Sequence, residues 1–128
     1  MQLQIRTMSN VHPDFYRLIG PLMGSRQVER EVGIRLYDDE DKEWYVAWVD
    51  GFFAGVASVR GPVVSDCYVR PAYRNNGALT AMLTSIVKDH PVALRATCTA
   101  MSAGVFAQAG FKLKKQTKNF YFMELRHA

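Results

Sequence analysis

The chain has 128 residues, 48% apolar and 22% charged, with a formal net charge of +4 at pH 7. That is one domain's worth of chain, apolar enough to build a core without metal or disulfide staples, and it excludes a disordered protein. No apolar run approaches the roughly 18 residues of a membrane span, the start MQLQIRTMSN lacks a signal-peptide pattern, and Cys67 and Cys98 are too few for a disulfide framework or a zinc site. No membrane association and no metal are expected, and the setting expected is reducing and cytoplasmic.

Gln2 to Met8 alternates Leu3 and Ile5 with Gln4 and Arg6 and reads as a first strand. His12-Pro13-Asp14 opens a helix carrying Phe15, Leu18, Ile19 and Leu22, which Pro21 and Gly24 are expected to end. Gln27 to Arg35 gives a second, short helix. Glu43 to Val49 and Phe52 to Arg60 read as strands joined by Asp50-Gly51, a tight-hairpin signal, and Gly61-Pro62 turns the chain into a third strand, Val63 to Val69. Arg70 to Gly77 is a polar loop. Ala78 to Asp89 places Leu79, Met82, Leu83, Ile86 and Val87 on one helical face, and His90-Pro91 stops it. Val92 to Cys98 is a short buried strand. Ala100 to Ala109 is a helix with Thr99 as N-cap and Gly110 closing it; Phe111 to Lys115 and Asn119 to Leu125 are the last strands. No linker or repeat interrupts the order. The expectation is a single α/β (α+β) domain over residues 1–128, with a mixed, mostly antiparallel sheet flanked by helices.

Charge is uneven along the chain. Six of the twelve acids lie between Asp38 and Asp50, and between Gly51 and Met123 the only acids are Asp66 and Asp89. A body this basic suits a polyanion, either nucleic acid or a phosphate-rich cofactor. The acidic run Asp38 to Glu43 reads as a solvated loop, or as a rim that attracts a cationic substrate.

The stretch from Tyr68 to Thr80 carries the most chemistry. A strand ends, a short loop follows and an amphipathic helix begins, so free N–H groups and the helix dipole converge on one point. Gly77 lets a ligand approach the backbone, and Arg74 offers a charge-assisted contact. Val-x-Pro-x-Tyr-Arg-x-x-Gly before a helix resembles the acetyl-coenzyme A loop of the GNAT superfamily of N-acetyltransferases. Its pattern is Arg/Gln-x-x-Gly-x-Gly/Ala; Arg74, Asn75, Asn76, Gly77 and Ala78 match the first five positions, and Leu79 departs from the sixth. Ala109-Gly110-Phe111 before a strand, and the order of elements along the whole chain, resemble the same family.

The resemblance implies acetyl-CoA as cofactor. It implies that Val69 ends a strand splaying from the next one and pairs with the pantetheine arm, that backbone from Asn75 to Thr80 holds the pyrophosphate, and that a backbone N–H near Val69 to Arg70 polarises the thioester. The acceptor would be an amine on a small molecule or a protein. The family's usual tyrosine acid falls at Phe106, and the asparagine seven residues before it at Thr99. Tyr121, Tyr68 or a water could replace the tyrosine. The usual base would share Val69's strand face, which by alternation holds Val63, Ser65 and Cys67; Asp66 lies on the opposite face unless a β-bulge turns it. Ser65, holding a relay water, and Asp66 are the candidate catalytic residues. Cys67 and Cys98 flank the expected cofactor groove; an acyl-cysteine route is open in principle, but they read as buried structural thiols. His12, His90 and His127 sit at helix boundaries and the C-terminus and are read as non-catalytic.

The first reading is therefore an N-acetyltransferase. The second is a member that binds coenzyme A or a protein without efficient transfer, as Phe106 and Leu79 suggest. The third is a small basic nucleic-acid binder using Trp44, Tyr45 and Trp48 as stacking platforms. A homodimer through the C-terminal strands is the expected assembly.

Overall fold

A computed structural model describes residues 1–126; His127 lies outside the described residues. Seven strands form one sheet in the order β1-β2-β3-β4-β5-β7-β6. They are β1 (Leu3–Met8), β2 (Glu43–Val49), β3 (Phe52–Arg60), β4 (Val63–Val69), β5 (Leu94–Cys98), β6 (Lys112–Gln116) and β7 (Tyr121–Leu125). The helices are α1 (Phe15–Met23), α2 (Arg26–Val32), α3 (Ala78–Asp89) and α4 (Ala100–Gln108). The β1 to β4 half is an antiparallel meander. Its β2–β3 turn places Asp50 and Gly51 at φ 51° and 83°, the paired positive values of a tight hairpin. α3 then crosses over to β5, which lies parallel to β4, and β7 and β6 complete an antiparallel second half.

Two apolar layers hold the sheet. On one face Tyr45, Ala47, Ala57, Val64, Leu94 and Ala96 pack with Met82, Leu83 and Ile86 of α3 and Phe106 of α4. On the other, Trp44, Val46, Val56 and Tyr68 pack with Phe15, Ile19, Val28 and Leu36. Because Trp44 and Tyr45 are buried in these layers, they cannot serve as stacking platforms for bases. β6 is a free edge with all five side chains exposed, three of them lysines. No helix among the described residues is long and apolar enough to cross a membrane.

Local departures from the sequence reading have physical causes. Pro21 does not end α1; it sits inside the helix, which closes at Gly24. Pro21 and Arg17 are both exposed, so water can take the bond that proline cannot donate. α2 is shorter than expected, because Ser25 Oγ accepts from the Val28 N–H at 3.2 Å and Gly33, at φ 99°, closes the helix. Thr99 occupies the N-cap position of α4 without capping it; its hydroxyl donates to the Glu31 carbonyl at 3.3 Å.

Two irregularities in β4 shape everything that follows. Val64 opposes Val59 and Ser65 opposes Ser58, but Tyr68 opposes Val56, so Asp66 and Cys67 together face one residue of β3. This is a β-bulge, with Asp66 at φ 55°. Second, β4 and β5 pair only at Val63–Arg95 and Val64–Ala96, and part beyond them.

Candidate functional site

The bulge re-sorts the faces of β4. Val64, Cys67 and Val69 belong to the α3/α4 layer, whereas Tyr68 belongs to the α1/α2 layer. Alternation had put Ser65 on Val69's face and Asp66 opposite. The extra residue instead brings Ser65 and Asp66 together on the α1/α2 side, where both reach Ser58.

At the end of β4, Gly55 and Val69 are partners, flanked by an Arg70 N–H to Ala54 C=O bond of 2.7 Å. In an antiparallel ladder this makes Gly55–Val69 a non-hydrogen-bonded pair, so the Val69 N–H and C=O point away from β3, toward the gap before β5. The Val69 carbonyl accepts from Arg74 Nε at 2.9 Å. Between Val69 and Arg70, only the Val69 N–H therefore remains as a donor into the gap. Gly55 makes the close approach possible: a Cβ there would lie 2.6 Å from the Tyr68 carbonyl oxygen.

The loop after β4 makes a single 3₁₀ turn over Pro71–Tyr73, then passes through Asn75 at φ 65° and Gly77 at φ 78° into α3. A Cβ on Gly77 would meet nothing within 4 Å, so its positive φ, not crowding, calls for glycine. The helical ladder begins with the Ala81 N–H bonding the Gly77 carbonyl at 2.9 Å. The N–H groups of Ala78, Leu79 and Thr80 precede it and have no intrahelical acceptor. A cavity of about 260 Å³ lies over them, lined by Val69, Asn75, Gly77, Ala78, Leu79 and Thr80 and walled by α4 at Ser102 and Val105. Asn76 is exposed beside it, its amide donating to the Tyr73 carbonyl at 3.4 Å.

Arg74 also lines this cavity. Its guanidinium donates to Glu31 of α2 at 2.5 Å and lies over the Tyr68 ring, 5.5 Å from the centroid. It thus ties the loop to α2. The Arg74 guanidinium holds the Glu31 carboxyl below the usual carboxylate range. Burial, and then the neighbouring Glu31 charge, raise the Tyr68 phenol.

On the α1/α2 side, Asp66 is 2% exposed. Its Oδ2 accepts from Lys42 Nζ at 2.8 Å, Ser58 Oγ at 2.6 Å and Ser65 Oγ at 3.4 Å, while its buried Oδ1 has no partner. Lys42 also donates to the Tyr37 carbonyl at 2.8 Å and reaches Asp39 at 3.2 Å. The acidic run is therefore anchored through Lys42 and is not simply a solvated loop. Ser65, Asp66 and Cys67 line a small crevice with Thr97, Cys98 and Phe120. Cys67 and Ser102 line both this crevice and the larger cavity, so the two spaces meet at the β4–β5 gap.

Burial, with the Asp66 charge beside it, pushes the Cys67 thiol well above its ordinary range, and burial pushes Cys98 up to about 11. Neither has the depressed pKa of a nucleophilic cysteine. Phe106 is fully buried, edge-on to Phe111 at 5.1 Å, and has no acid to offer. Tyr121 is a member of the α3/α4 layer whose hydroxyl accepts from Gln116 at 3.3 Å. Sequence reasoning missed Lys42, Glu31 and Ser58. An isolated lysine within an acidic run was the one signal available for Lys42, and nothing in the pattern marked the other two.

No family model matches the sequence, and no curated protein matches it. Solved structures do. A GNAT family acetyltransferase from Elizabethkingia anophelis with acetyl-CoA bound is similar over 98% of both chains, with a TM-score of 0.67 and 12% identity. The Campylobacter jejuni N-acetyltransferase PseH in complex with acetyl coenzyme A is similar over 99% of this chain and 100% of its own, at 0.64 and 16%. An aminoglycoside acetyltransferase in complex with coenzyme A and kanamycin is similar over 98% of this chain and 95% of its own, at 0.71 and 11%. A splayed sheet, a glycine-opened helix beside the splay and this near-complete overlap lead to one statement: the chain has the GNAT acetyltransferase fold.

Proposed function

We propose that the chain is an acetyl-CoA-dependent N-acetyltransferase that passes the acetyl group directly to a primary amine. One observation carries this reading. The β4–β5 gap opens between a cradle of free N–H groups at the start of α3 and a crevice holding a buried carboxylate. Acetyl-CoA would be held by backbone from Asn75 to Thr80 at its phosphates and by Val69 along its pantetheine arm. When bound, it supplies an activated thioester. The Val69 N–H is the donor available to polarise the thioester carbonyl. Asp66 would take the proton of the incoming ammonium. Lys42 and Ser58 hold Oδ2, and a water held by Ser65 would carry the proton from the amine to the carboxylate. The raised thiol pKa values support direct attack over an acyl-cysteine. Phe106 supports a leaving thiolate that takes its proton from solvent or from the acceptor.

The test pairs thermal unfolding with thiol release. Saturating acetyl-CoA, at about 100 times its Kd, adds about 2.7 kcal/mol and is expected to raise Tm by roughly 5–10 °C. Thiol release with a panel of amines then reports transfer. No shift at millimolar acetyl-CoA refutes the reading. The burial of Phe106 at the acid position favours a second reading, a coenzyme A binder without efficient transfer, for which a shift without thiol release is the signature.

A further inference from the structure

The crevice at Asp66 is not closed on the side away from the cofactor cavity. It continues into a basin of about 650 Å³ that shares Ile34, Ser65 and Asp66 with it. Across the basin runs a row of three partners: Arg60 of β3 opposes Val63 of β4, which opposes Arg95 of β5. Paired residues point to the same face, and Val59, Val64, Leu94 and Ala96 occupy the α3/α4 layer. The row therefore shows on the face of Asp66. With strands about 4.8 Å apart, the two arginine Cα atoms are roughly 10 Å apart, a span that two guanidinium side chains can close around one anion.

Among the described residues, Asp39, Asp66 and Lys42 of the basin are paired with one another, whereas Asp41 and the two arginines of this row are not. Lys42 serves both Asp39 and Asp66. Glu124 opposes Arg95 across β5–β7, but its Oε1 is taken by Arg126 at 2.7 Å. Among the described residues, no carboxylate lies within 4.0 Å of Arg60 or Arg95, and both side chains are exposed. Asp41, at φ 67° on the rim, is the remaining acid of the basin. Two unpaired guanidinium forks beside a carboxylate-lined crevice offer opposite signs to the two ends of one molecule.

We propose that the acceptor is an amine that also carries an anionic group, a carboxylate or a phosphate, bound by Arg60 and Arg95 while its amine enters the crevice at Asp66. This rests on the acetyltransferase reading and adds to it the chemistry of the acceptor's far end. Arg95 and the crevice residue Thr97 are one strand repeat apart, about 7 Å, so acceptors of about five or six methylenes are the probes that match this spacing. The proposal keeps the cationic end that the acidic run suggests and adds an anionic one.

The test compares ω-aminohexanoate, aminopentyl phosphate, ω-aminohexanamide and diaminohexane as acceptors, by kcat/KM of thiol release, in the parent, Arg60→Gln, Arg95→Gln and the double variant. The parent is expected to favour an anionic acceptor over the amide by about tenfold or more. The double variant should abolish that preference through KM, leaving the amide's kcat/KM unchanged. The carboxylate and phosphate arms decide between the two sources of charge. Equal rates for the amide and the anions, a preference for the diamine, or a preference that survives in the double variant overturns the proposal. Thermal unfolding with acetyl-CoA runs alongside. No shift in the parent sinks the transferase reading itself, whereas a shift with charge-blind acetylation sinks only this inference. If no amine is turned over, calorimetric binding of aminohexanoate against its amide, on the coenzyme A complex, decides by the same criterion.

Discussion

Replacing Lys42 by methionine removes the one cation that, among the described residues, touches Asp66. The pair is deeply placed, with side chains 8% and 1% exposed. In Lys42→Met the carboxylate keeps Ser58 at 2.6 Å and Ser65 at 3.4 Å, two neutral donors that cannot offset its charge. Leaving a buried charge without its partner costs about 3–5 kcal/mol. The lost Tyr37 contact pushes the value toward the upper end. For a chain of this length the Tm should fall by roughly 10–20 °C. Adding Asp66→Asn to Lys42→Met removes the orphaned charge and should recover at least half of the loss. Thermal and urea unfolding of the parent, both single variants and the double variant form the cycle, with a coupling of about 2 kcal/mol or more expected. A Lys42→Met protein within about 1 kcal/mol of the parent, or an additive cycle, would show that water screens the pair and that Asp66 is not the buried carboxylate described above.

Two further outcomes are expected. Glu31 has its carboxyl lowered by Arg74, so the unfolded chain takes up the proton first as the solution is acidified. Its contribution to stability is complete above about pH 4.5, the ordinary value, and is lost as pH falls through the folded value. The Tm difference between the parent and Glu31→Gln should therefore hold from pH 7 to about 4.5 and shrink below; a constant gap down to pH 3 would contradict this. In Gly55→Ala the new methyl meets the Tyr68 carbonyl at 2.6 Å and the Val69 Cα at 3.0 Å, both backbone atoms. A loss of about 1–3 kcal/mol and a weaker acetyl-CoA shift are expected. Gly24→Ala, with nothing within 4 Å, serves as the control. Identical melting of Gly55→Ala and the parent would dispose of the close-approach argument.

The elements legible in the sequence were those fixed by local chemistry. Asp50-Gly51 specifies its hairpin through two positive φ values, and Met82, Leu83 and Ile86 mark a helix because their spacing leaves one face to bury. Gly77 at the start of α3 was legible for the same reason. What escaped depends on partners far along the chain. The β4 bulge leaves no mark in Val63–Val69, whose alternation reads as an unbroken strand, yet it takes Ser65 off Val69's face and sets it beside Asp66. Lys42 lies 24 positions before Asp66, and Glu31 lies 43 positions before Arg74. Arg74 fits a phosphate-loop pattern, but nothing in that pattern marks its side chain's bonds to the Val69 carbonyl and to Glu31.

Adjacent strands elsewhere in the sheet share four to seven residue pairs; β4 and β5 share two. A sheet bends where its ladder is shortest, so relative motion of the β1–β4 and β5–β7 halves is concentrated on that line, with α3 as the strap across it. A molecule lodged there, bonding to the exposed backbone of β4, would work as a splint. The stiffness of the protein would then depend on how often the groove is filled, and amide protection in β5 would rise and fall with occupancy while β2 and β3 stay protected throughout.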